Sequence, residues 1–322
     1  MKELKTWMSN DRSTLVIDGL NVFFRHWAAN PAMDSNGEHV GGIVGFLKGL
    51  QLLCERYRPN NIVVAWEGGG STRRRAIDPT YKNGRRPAKL NRFYDDIPNT
   101  VENRNSQVAQ LVALLRQAGV KQVYVPDCEA DDVIAHLCSV NFRREPCIVV
   151  STDKDFYQLI DDRVKVWSPG SKTQWDVNSV IDKFGVHPEN FCLARAFIGD
   201  ASDGLKGAPG VGFKSLVKRF PKFSSDESLT VGDIVTECRK LQEQSRLKLY
   251  DSIISHEEQV KRNWKLMYLG QGKLAANQVQ KIESAMLQEP KRNKLTFIRT
   301  LTSLQITNVD YDKLFMTLKI LK

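Results

Sequence analysis

The sequence has few features of secreted, membrane-bound or zinc-binding proteins. Its six cysteines include no C-x-x-C pair, a pattern that argues against a zinc site and is typical of core thiols in a reducing compartment. No apolar run approaches the roughly 20 residues that span a bilayer, and the first ten residues lack the apolar segment of a signal peptide. Internal repeats and low-complexity tracts are also absent. We therefore expect a cytoplasmic protein without a membrane association.

Acidic residues are outnumbered by basic ones. The 322 residues contain 47 Lys+Arg and 37 Asp+Glu, which gives a formal net charge of +10. A charge of this sign favours a polyanionic partner, with nucleic acid as the first choice. The apolar content of 41% is enough for a packed core, and the length suggests two domains of about 150 residues each.

Short apolar strands alternate with longer helical segments through the first 170 residues. The strand patterns end at Ile17, Trp66, Val125, Val150 and Trp167. Helical spacing follows over 40–57 and 108–115, and another helix opens near residue 129. This alternation predicts βαβ units and a mainly parallel sheet. From about residue 178 the pattern becomes helical.

A strongly basic segment interrupts the alternation after Gly68-Gly69-Gly70. Residues 71–92 contain eight basic residues and one acid, a balance of 8 − 1 = +7. Long loops inside compact α/β domains are usually functional or disordered, and a solvated surface loop is the simpler interpretation.

Acidic residues follow the ends of three predicted strands. Asp18 and Glu67 come directly after the first and second strands, and Asp153 lies just beyond the fourth. The carboxyl ends of parallel strands line one crevice, where ligands bind. Three carboxylates at one edge repel each other unless a cation lies among them, so their shared position indicates a cation site.

Further acids extend this pattern. Four acids occupy positions 127–132 at a predicted helix start, more than the helix dipole needs. Oxygen ligands without histidine or cysteine suit Mg²⁺ or Mn²⁺, and two such ions can hydrolyse a phosphodiester. The nine candidate ligands are Asp18, Glu67, Glu129, Asp131, Asp132, Asp153, Asp155, Asp200 and Asp203.

The order of these nine acids, followed by a glycine-rich turn, resembles the flap endonuclease/5′-nuclease family. That family includes the 5′-nuclease domain of bacterial DNA polymerase I. The basic pattern Arg74-Arg75, Tyr81-Lys82, Arg85 resembles the helical arch of the family. Trp167-Ser168-Pro169 and the chain length resemble its phage-type ribonuclease H branch. The motifs cover residues of about 13–220. The family usually has aspartate where this chain has Glu67, whose side chain is one methylene longer.

The resemblance implies a fold and a division of the chain. We expect an α/β fold with a mainly parallel twisted sheet flanked by helices, of the PIN-like 5′-nuclease type. The nuclease domain would span residues 1–180, with a helical arch at about 68–96. A mostly helical part would span residues 181–322, with a helix-three-turn-helix at about 188–222.

The resemblance also implies an activity and its cofactors. We expect a structure-specific 5′-nuclease, acting as a 5′-to-3′ exonuclease and flap endonuclease in DNA repair and in RNA-primer removal during DNA replication. Two Mg²⁺ ions, for which Mn²⁺ can substitute, would carry out the hydrolysis. The first ion would lie among Asp18, Glu67, Glu129, Asp131 and Asp153. The second would be held by Asp132, Asp155, Asp200 and Asp203.

The basic residues receive roles by the same resemblance. Lys82, Arg85 and Arg74 would act on the scissile phosphate, where fixed cations stabilise developing charge; generic steering of phosphates is the simpler alternative. The glycine-rich hairpin would grip the duplex backbone without reading bases, and K⁺ is a further expectation there. The predicted DNA-binding residues are Arg73, Arg75, Tyr81, Arg86, Gly207, Gly210, Gly212, Lys214 and Lys218.

The expected partners are branched or 5′-flap DNA and RNA–DNA duplex. A single-strand-binding protein or a sliding clamp is a further candidate partner, and we expect a monomer, in the host-cell cytoplasm if the protein comes from a phage. Two other functions remain open. A PIN-like single-strand ribonuclease would share the acidic sheet edge but need neither the arch nor the hairpin. A non-catalytic branched-DNA-binding module would be expected to have lost several of the nine acids.

Overall fold

A six-stranded sheet forms the centre of the protein. The computed structural model describes residues 13–82, 100–245, 247–270 and 272–318. The strands run in the order β3-β2-β1-β4-β5-β6; the first five pair in parallel, and β6 is an antiparallel edge that the sequence pattern did not indicate. The strands are β1 Thr14–Asp18, β2 Asn61–Trp66, β3 Lys121–Tyr124, β4 Cys147–Val150, β5 Val164–Ser168 and β6 Thr173–Trp175.

Helices connect and flank the strands. The helices of the first 200 residues are α1 Gly19–Ala29, α2 Gly41–Tyr57, α3 Thr72–Ile77, α4 Val101–Gln117, α5 Ala130–His136, α6 Val177–Phe184 and α7 Phe191–Ile198. Those that follow are α8 Phe213–Arg219, α9 Val231–Gln244, α10 Lys248–Ser255, α11 Glu257–Met267, α12 Ala276–Leu287, α13 Lys294–Ser303 and α14 Tyr311–Leu318. In the described part of the chain, no helix is both long and apolar enough to cross a membrane. The expected fold class, a mainly parallel sheet flanked by helices with a helical C-terminal part, is confirmed.

Two hydrophobic cores cover the two faces of the sheet. Successive strand residues point to opposite faces, so Val16 of β1 belongs to one core and its neighbours Leu15 and Ile17 belong to the other. Helices α1, α2 and α4 cover the second face, whereas α5 and α7 cover the first. Both faces of the central strands β1, β2 and β4 are therefore buried, which explains why these three strands are almost wholly apolar.

The strand order reverses next to β1. The chain proceeds from β1 outward to β2 and β3, and then returns to the other side of β1 for β4 and β5. The crevice at such a reversal, beyond the carboxyl ends of the strands, is the usual ligand site of an open α/β sheet. Asp18 ends β1, and Asp153 lies three residues beyond β4, so both lie at this crevice.

The helices after residue 180 are not packed separately from the sheet. Phe297 of α13 and Phe315 of α14 lie in the core beneath α2 and α4, and Ile282 of α12 lies in the opposite core. The boundary at residue 180 stays a prediction, although both cores contain residues from either side of it. Deletion of the chain after residue 225 would open both cores.

A helix–hairpin–helix unit lies within the expected 188–222 region. Helices α7 and α8 are joined by a short antiparallel pair, β7 Gly199–Asp200 and β8 Leu205–Lys206, and by a glycine-rich turn. The side-chain amide of Asn263 on α11 donates to the carbonyls of Ala196 and Lys206, at 3.0 and 2.8 Å, and is fully buried. This contact fixes the hairpin against α11.

Candidate metal centre

Asp18 lies at the centre of the crevice because β1 ends there and α1 begins at the next residue. Its carboxylate caps α1 by accepting from the Asn21 backbone N–H at 3.3 Å and also accepts from the Ser151 hydroxyl at 2.9 Å. Burial raises its pKa to about 7, against the lowering effect of the Ser151 and Asn21 hydrogen bonds. The negative charges of Asp153 and Glu67 add to this rise. Ionisation of the Asp18 carboxyl is therefore unfavourable unless a cation lies beside it.

Asp131 and Asp153 face the same crevice. Burial, followed by the charges of Asp153 and Asp18, raises the pKa of Asp131 well above its ordinary value, although Lys82 opposes the shift. Asp153 caps the short 3-10 turn after β4 by accepting from the Asp155 backbone N–H at 2.9 Å. Among the residues that the structure describes, no lysine or arginine is ion-paired with Asp18, Asp131 or Asp153 within 4.0 Å.

A second carboxylate group lies toward the hairpin. One oxygen each from Asp155, Asp200 and Asp203 lies within 4.8 Å of the others, a spacing that a single cation can bridge. Burial, and then the charge of Asp153, raises the pKa of Asp155 to about 7. Burial opposes ionisation of Asp200, but hydrogen bonds from Ser202 and the charge of Arg195 outweigh it and lower its pKa. Three of the four acids expected at a second ion are thus close together.

Glu67 turns its carboxylate toward the backbone. One oxygen accepts from the Gly70 N–H at 3.1 Å, and the other accepts from the Ala130 N–H, the first residue of α5, at 3.3 Å. A side chain on Gly68 would place its Cβ 1.7 Å from the Val125 carbonyl oxygen, so glycine is required for this close approach. Glu67 thereby ties the start of the basic segment to the start of α5. Its role as a metal ligand stays a prediction.

Lys82 lies over the acidic crevice. Its Nζ is 2.7 Å from Oε2 of Glu129, and its backbone N–H donates to the Asp203 carbonyl at 3.4 Å. Burial alone would lower the pKa of Lys82, but the carboxylates of Asp131 and Glu129 outweigh burial and raise it. Its φ of 61° is in the left-handed region, which is sparsely populated for lysine and occurs mainly where surrounding contacts impose it. A fixed ammonium therefore faces the carboxylates.

The structure assigns Arg74 and Asp132 a different arrangement from the one expected. Arg74 is 1% exposed and forms a bidentate ion pair with Asp132, while its Nη1 lies 3.3 Å from Glu129. Its Nε donates to the Leu266 carbonyl at 2.8 Å. A guanidinium so enclosed does not present its donors to a phosphate in this arrangement, and Asp132 is occupied by the arginine. Both side chains anchor α3 to α5 and α11.

The other predicted DNA-binding residues of the basic segment differ in exposure. Arg73 lies 3.8 Å from Asp132 and is partly exposed, whereas Arg75 is half exposed and lies 3.5 Å from Asp127. Tyr81 is 8% exposed and packs against Leu266 and Met267, so its ring does not offer a face to a base here. Arg85 and Arg86 fall outside the described residues.

The hairpin glycines have two distinct functions. A Cβ on Gly207 would lie 2.2 Å from the Ile198 carbonyl, so this glycine serves close packing rather than ligand approach. By contrast, Cβ atoms on Gly210 and Gly212 would meet no other atom within 4 Å. Lys214 and Lys218 are exposed on α8 beside this open backbone, which leaves the turn and the two lysines accessible to a polyanion.

Arg195 is the site residue that sequence reasoning missed. Its Nη2 lies 3.4 Å from Oδ1 of Asp155 and makes a closer ion pair with Asp200. Arg195 is the only charged residue of α7, whose sequence is FCLARAFI. The sequence offered one signal for this residue: a single charge in an otherwise apolar helix, which needs a partner of opposite charge when the helix is buried.

Comparison with known proteins identifies the family. The model of the 5′-3′ exonuclease N-terminal resolvase-like domain matches residues 13–185. The chain belongs to the 5′-3′ exonuclease family. It is 31% identical over 214 residues to the flap endonuclease Xni of Shewanella piezotolerans, covering 66% of this chain and 77% of Xni. It is 28% identical over 288 residues to the thermostable DNA polymerase I of Thermus aquaticus, covering 87% of this chain and 31% of the polymerase.

A solved nuclease structure shares the fold of this family member. The D15 flap endonuclease of bacteriophage T5, as its D155K variant with DNA and metal ions, aligns with a TM-score of 0.63 and 19% identity over 91% of this chain and 98% of that one. The family model and the sequence relatives confirm the resemblance to the flap endonuclease/5′-nuclease family, and the protein is a nuclease of the exonuclease and flap endonuclease class. The roles of individual residues remain predictions.

The carboxylates of this 5′-3′ exonuclease family member fit divalent cations. Within the described part of the chain, the ligand group found at the crevice consists of carboxylates without histidine or cysteine, a set that suits hard cations such as Mg²⁺ and Mn²⁺. The raised pKa values of Asp18, Asp131 and Asp155 show that burial and mutual repulsion oppose their ionisation. A bound cation would remove that repulsion.

We expect the stabilisation by Mn²⁺ to grow as pH rises from about 4 to about 7. Asp18 and Asp155 have pKa values raised from 3.8 to about 7, so the native state without metal binds more protons than the unfolded state in this range. The metal-free protein therefore loses stability as pH rises, on the order of a few kcal/mol. Because ligands must be deprotonated to bind metal, the stabilisation by Mn²⁺ grows over the same range. Denaturant unfolding in EDTA and in Mn²⁺ across this range measures the difference.

Two histidines, the buried His39 and the partly buried His26, make the comparison with EDTA necessary. Burial lowers the pKa of His26 to about 4 and also lowers that of His39. Both histidines therefore add stability as pH rises toward 6.5. This gain opposes the loss caused by the carboxylates, but it is the same in EDTA and in Mn²⁺ and cancels in the comparison. An Mn²⁺-induced stabilisation that stays constant or shrinks between pH 4 and 7 would contradict the assignment.

Proposed function

We propose that the protein is a structure-specific, metal-dependent 5′-nuclease. It would remove 5′ flaps and shorten 5′ ends in branched DNA and RNA–DNA duplexes, including RNA primers during DNA replication. The observation that carries this proposal is the convergence of buried carboxylates at the sheet crevice beneath a fixed ammonium, with Lys82 Nζ 2.7 Å from Glu129. The likenesses to flap endonuclease Xni and to DNA polymerase I support the substrate class and the place in replication.

Two groups of acids would hold the ions. Asp18, Asp131 and Asp153 would bind one ion at the ends of β1 and β4, and Asp155, Asp200 and Asp203 would bind the other near the hairpin. Such ions lower the pKa of water to form a nucleophile and stabilise the leaving oxygen. We propose Mg²⁺ as the natural ion, with Mn²⁺ as its substitute, because hard oxygen donors favour both.

Lys82 would position and stabilise the scissile phosphate. Its ammonium is held at the crevice by Glu129, so it need not reorganise when negative charge develops on the phosphate oxygens. Arg74, being buried against Asp132, would act through Lys82 and α3 by fixing the base of the basic segment. We also propose phosphate contacts for Arg85 and Arg86.

The hairpin would hold the duplex. The open backbone at Gly210 and Gly212 and the exposed Lys214 and Lys218 support a sequence-independent contact with phosphates. K⁺ at this hairpin, a single-strand-binding protein or sliding clamp as partner, a monomeric state and the cytoplasm as location remain proposals. Partner binding is best tested on the intact chain, because the C-terminal helices complete both cores.

A substrate comparison tests the proposed function. We expect Mg²⁺-dependent cleavage near the branch of a 5′-flap duplex and no cleavage in EDTA. Single-stranded RNA of matched sequence should be cut much more slowly. Preferential cleavage of the single-stranded RNA would favour the ribonuclease alternative, and tight flap binding without any cleavage would favour the non-catalytic module.

We expect Lys82→Met to reduce the single-turnover cleavage rate about 10²–10³-fold while the flap Kd changes less than about threefold. The reason is that Lys82 stabilises charge that develops only in the transition state. Rapid-quench kinetics and binding in Ca²⁺ separate the two quantities. Lys240→Met, an exposed lysine of α9, is the matched control and should change neither. Equal losses in rate and binding would assign Lys82 to generic phosphate steering.

A further inference from the structure

An arginine is inserted into the carboxylate group nearest the hairpin. Arg195 Nη2 lies 3.4 Å from Asp155 and closer still to Asp200, and the side chains of all three residues are less than 15% exposed. The same two carboxylates, with that of Asp203, form the group whose oxygens lie within 4.8 Å of one another. The guanidinium therefore contacts two of the three acids of this group and offsets part of their negative charge.

The apolar helix α7 positions this guanidinium. Arg195 lies on α7, whose other side chains are apolar, and its carbonyl accepts the backbone N–H of Gly199 at the helix end. Its Nε is buried and has no hydrogen-bond partner within the described residues. Nη2 of Arg195 is thus paired with carboxylates, whereas Nε has no partner among the described residues. The ion pair, rather than a complete set of hydrogen bonds, therefore holds the side chain in place.

The other carboxylate group has no equivalent. For Asp18, Asp131 and Asp153, the described ranges contain no lysine or arginine within ion-pair distance, and Lys82 is paired instead with Glu129. The two groups therefore differ: Arg195 is ion-paired directly with Asp155 and Asp200, whereas Asp131 feels only the more distant charge of Lys82. A divalent ion that binds Asp155 and Asp200 must displace the arginine, whereas an ion that binds Asp18, Asp131 and Asp153 has no directly paired cation to displace.

We propose that Arg195 is an internal counter-cation of the Asp155–Asp200–Asp203 group and competes with the divalent ion for Asp155 and Asp200. This inference rests on the proposed function. It predicts ordered filling, in which the ion at Asp18, Asp131 and Asp153 binds first. It also predicts that Arg195 stabilises the metal-free protein at a cost in affinity for the second ion.

The experiment measures Mn²⁺ binding to the full-length chain by electron paramagnetic resonance and thermal unfolding with and without Mn²⁺. The wild-type chain should bind two ions of unequal affinity. Arg195→Met should tighten the weaker ion about tenfold, within the range typical of linked sites, and leave the tighter ion within about twofold. It should also lower the melting temperature in EDTA and enlarge the rise caused by Mn²⁺. Arg195→Lys, which keeps the charge, should fall between the two.

Arg163→Met is the matched control. Arg163 is also partly buried, and it donates to the carbonyls of Phe142 and Glu145 away from the carboxylate groups. Its replacement should lower the melting temperature without changing either Mn²⁺ affinity. Unchanged or weakened binding of the second ion in Arg195→Met, with two ions bound by the wild type, would overturn the inference alone. A wild-type chain that binds fewer than two Mn²⁺ ions would overturn the two-ion proposal and the inference with it.

Discussion

Asp131→Asn should abolish metal-dependent cleavage and also make the metal-free protein more stable. Asp131 is partly buried at the start of α5, where Asp153, Asp18 and Glu129 all repel its charge, and Lys82 compensates only in part. Its pKa is raised well above the ordinary value because the neutral form is favoured. An amide of the same shape is neutral, so it removes that penalty together with a metal ligand.

The two effects have opposite signs and separate magnitudes. We expect cleavage to fall by about 10³-fold or more, since loss of an ion site removes several kcal/mol of transition-state stabilisation. We expect the free energy of unfolding in EDTA to rise by about 1–2 kcal/mol, as occurs when strained functional sites are neutralised. Single-turnover cleavage of a flap duplex in Mg²⁺ and urea unfolding in EDTA measure them.

Asp162→Asn provides the control, because Asp162 is an exposed acid of the same chain. It should leave both cleavage and stability unchanged. Normal cleavage by Asp131→Asn would remove this residue from the metal centre. Lower stability in EDTA would instead mean that the Asp131 carboxylate is held in the ionised form by Lys82, contrary to the electrostatics described above.

The sheet and its acidic edge were predictable because strand ends are local signals. Val- and Ile-rich runs mark strands, and parallel pairing aligns their carboxyl ends, as Asp18 opposite Ala65 of β2 shows. The edge strand β6 was not predictable in this way. It has only three residues, Thr173-Gln174-Trp175, and its alternation is too short to recognise.

The side-chain partners in the site were predictable only in part. Asp131 and Asp132 are successive helical residues, so they project about 100° apart and cannot both face one crevice; this geometry was available from the sequence. The partner of Asp132 was not, because Arg74 lies 58 positions earlier. The burial of Tyr81 likewise depends on Leu266 and Met267, far along the chain. Such pairings follow from tertiary packing, which spacing does not encode.

Arg74→Met should destabilise the protein by about 3–5 kcal/mol, the loss expected when one member of a buried ion pair is removed. Arg74 is 1% exposed, and its replacement leaves the buried Asp132 without its bidentate partner and the Leu266 carbonyl without its donor. Urea unfolding in EDTA measures the loss. Arg239→Met, which breaks an exposed ion pair with Glu257, should cost about 1 kcal/mol or less.

A double-mutant cycle then decides what Asp132 does. If Asp132 serves to anchor Arg74, the double variant Arg74→Met/Asp132→Asn should lose less stability than the sum of the single variants, by about 1–3 kcal/mol. Asp132→Asn alone should also weaken Mn²⁺ binding far less than Asp155→Asn, because Asp155 belongs to the carboxylate group and Asp132 is occupied by arginine. Additive losses with an equal drop in Mn²⁺ affinity would instead restore Asp132 to the metal ligands, and the ion pair with Arg74 would then have to open whenever the ion binds.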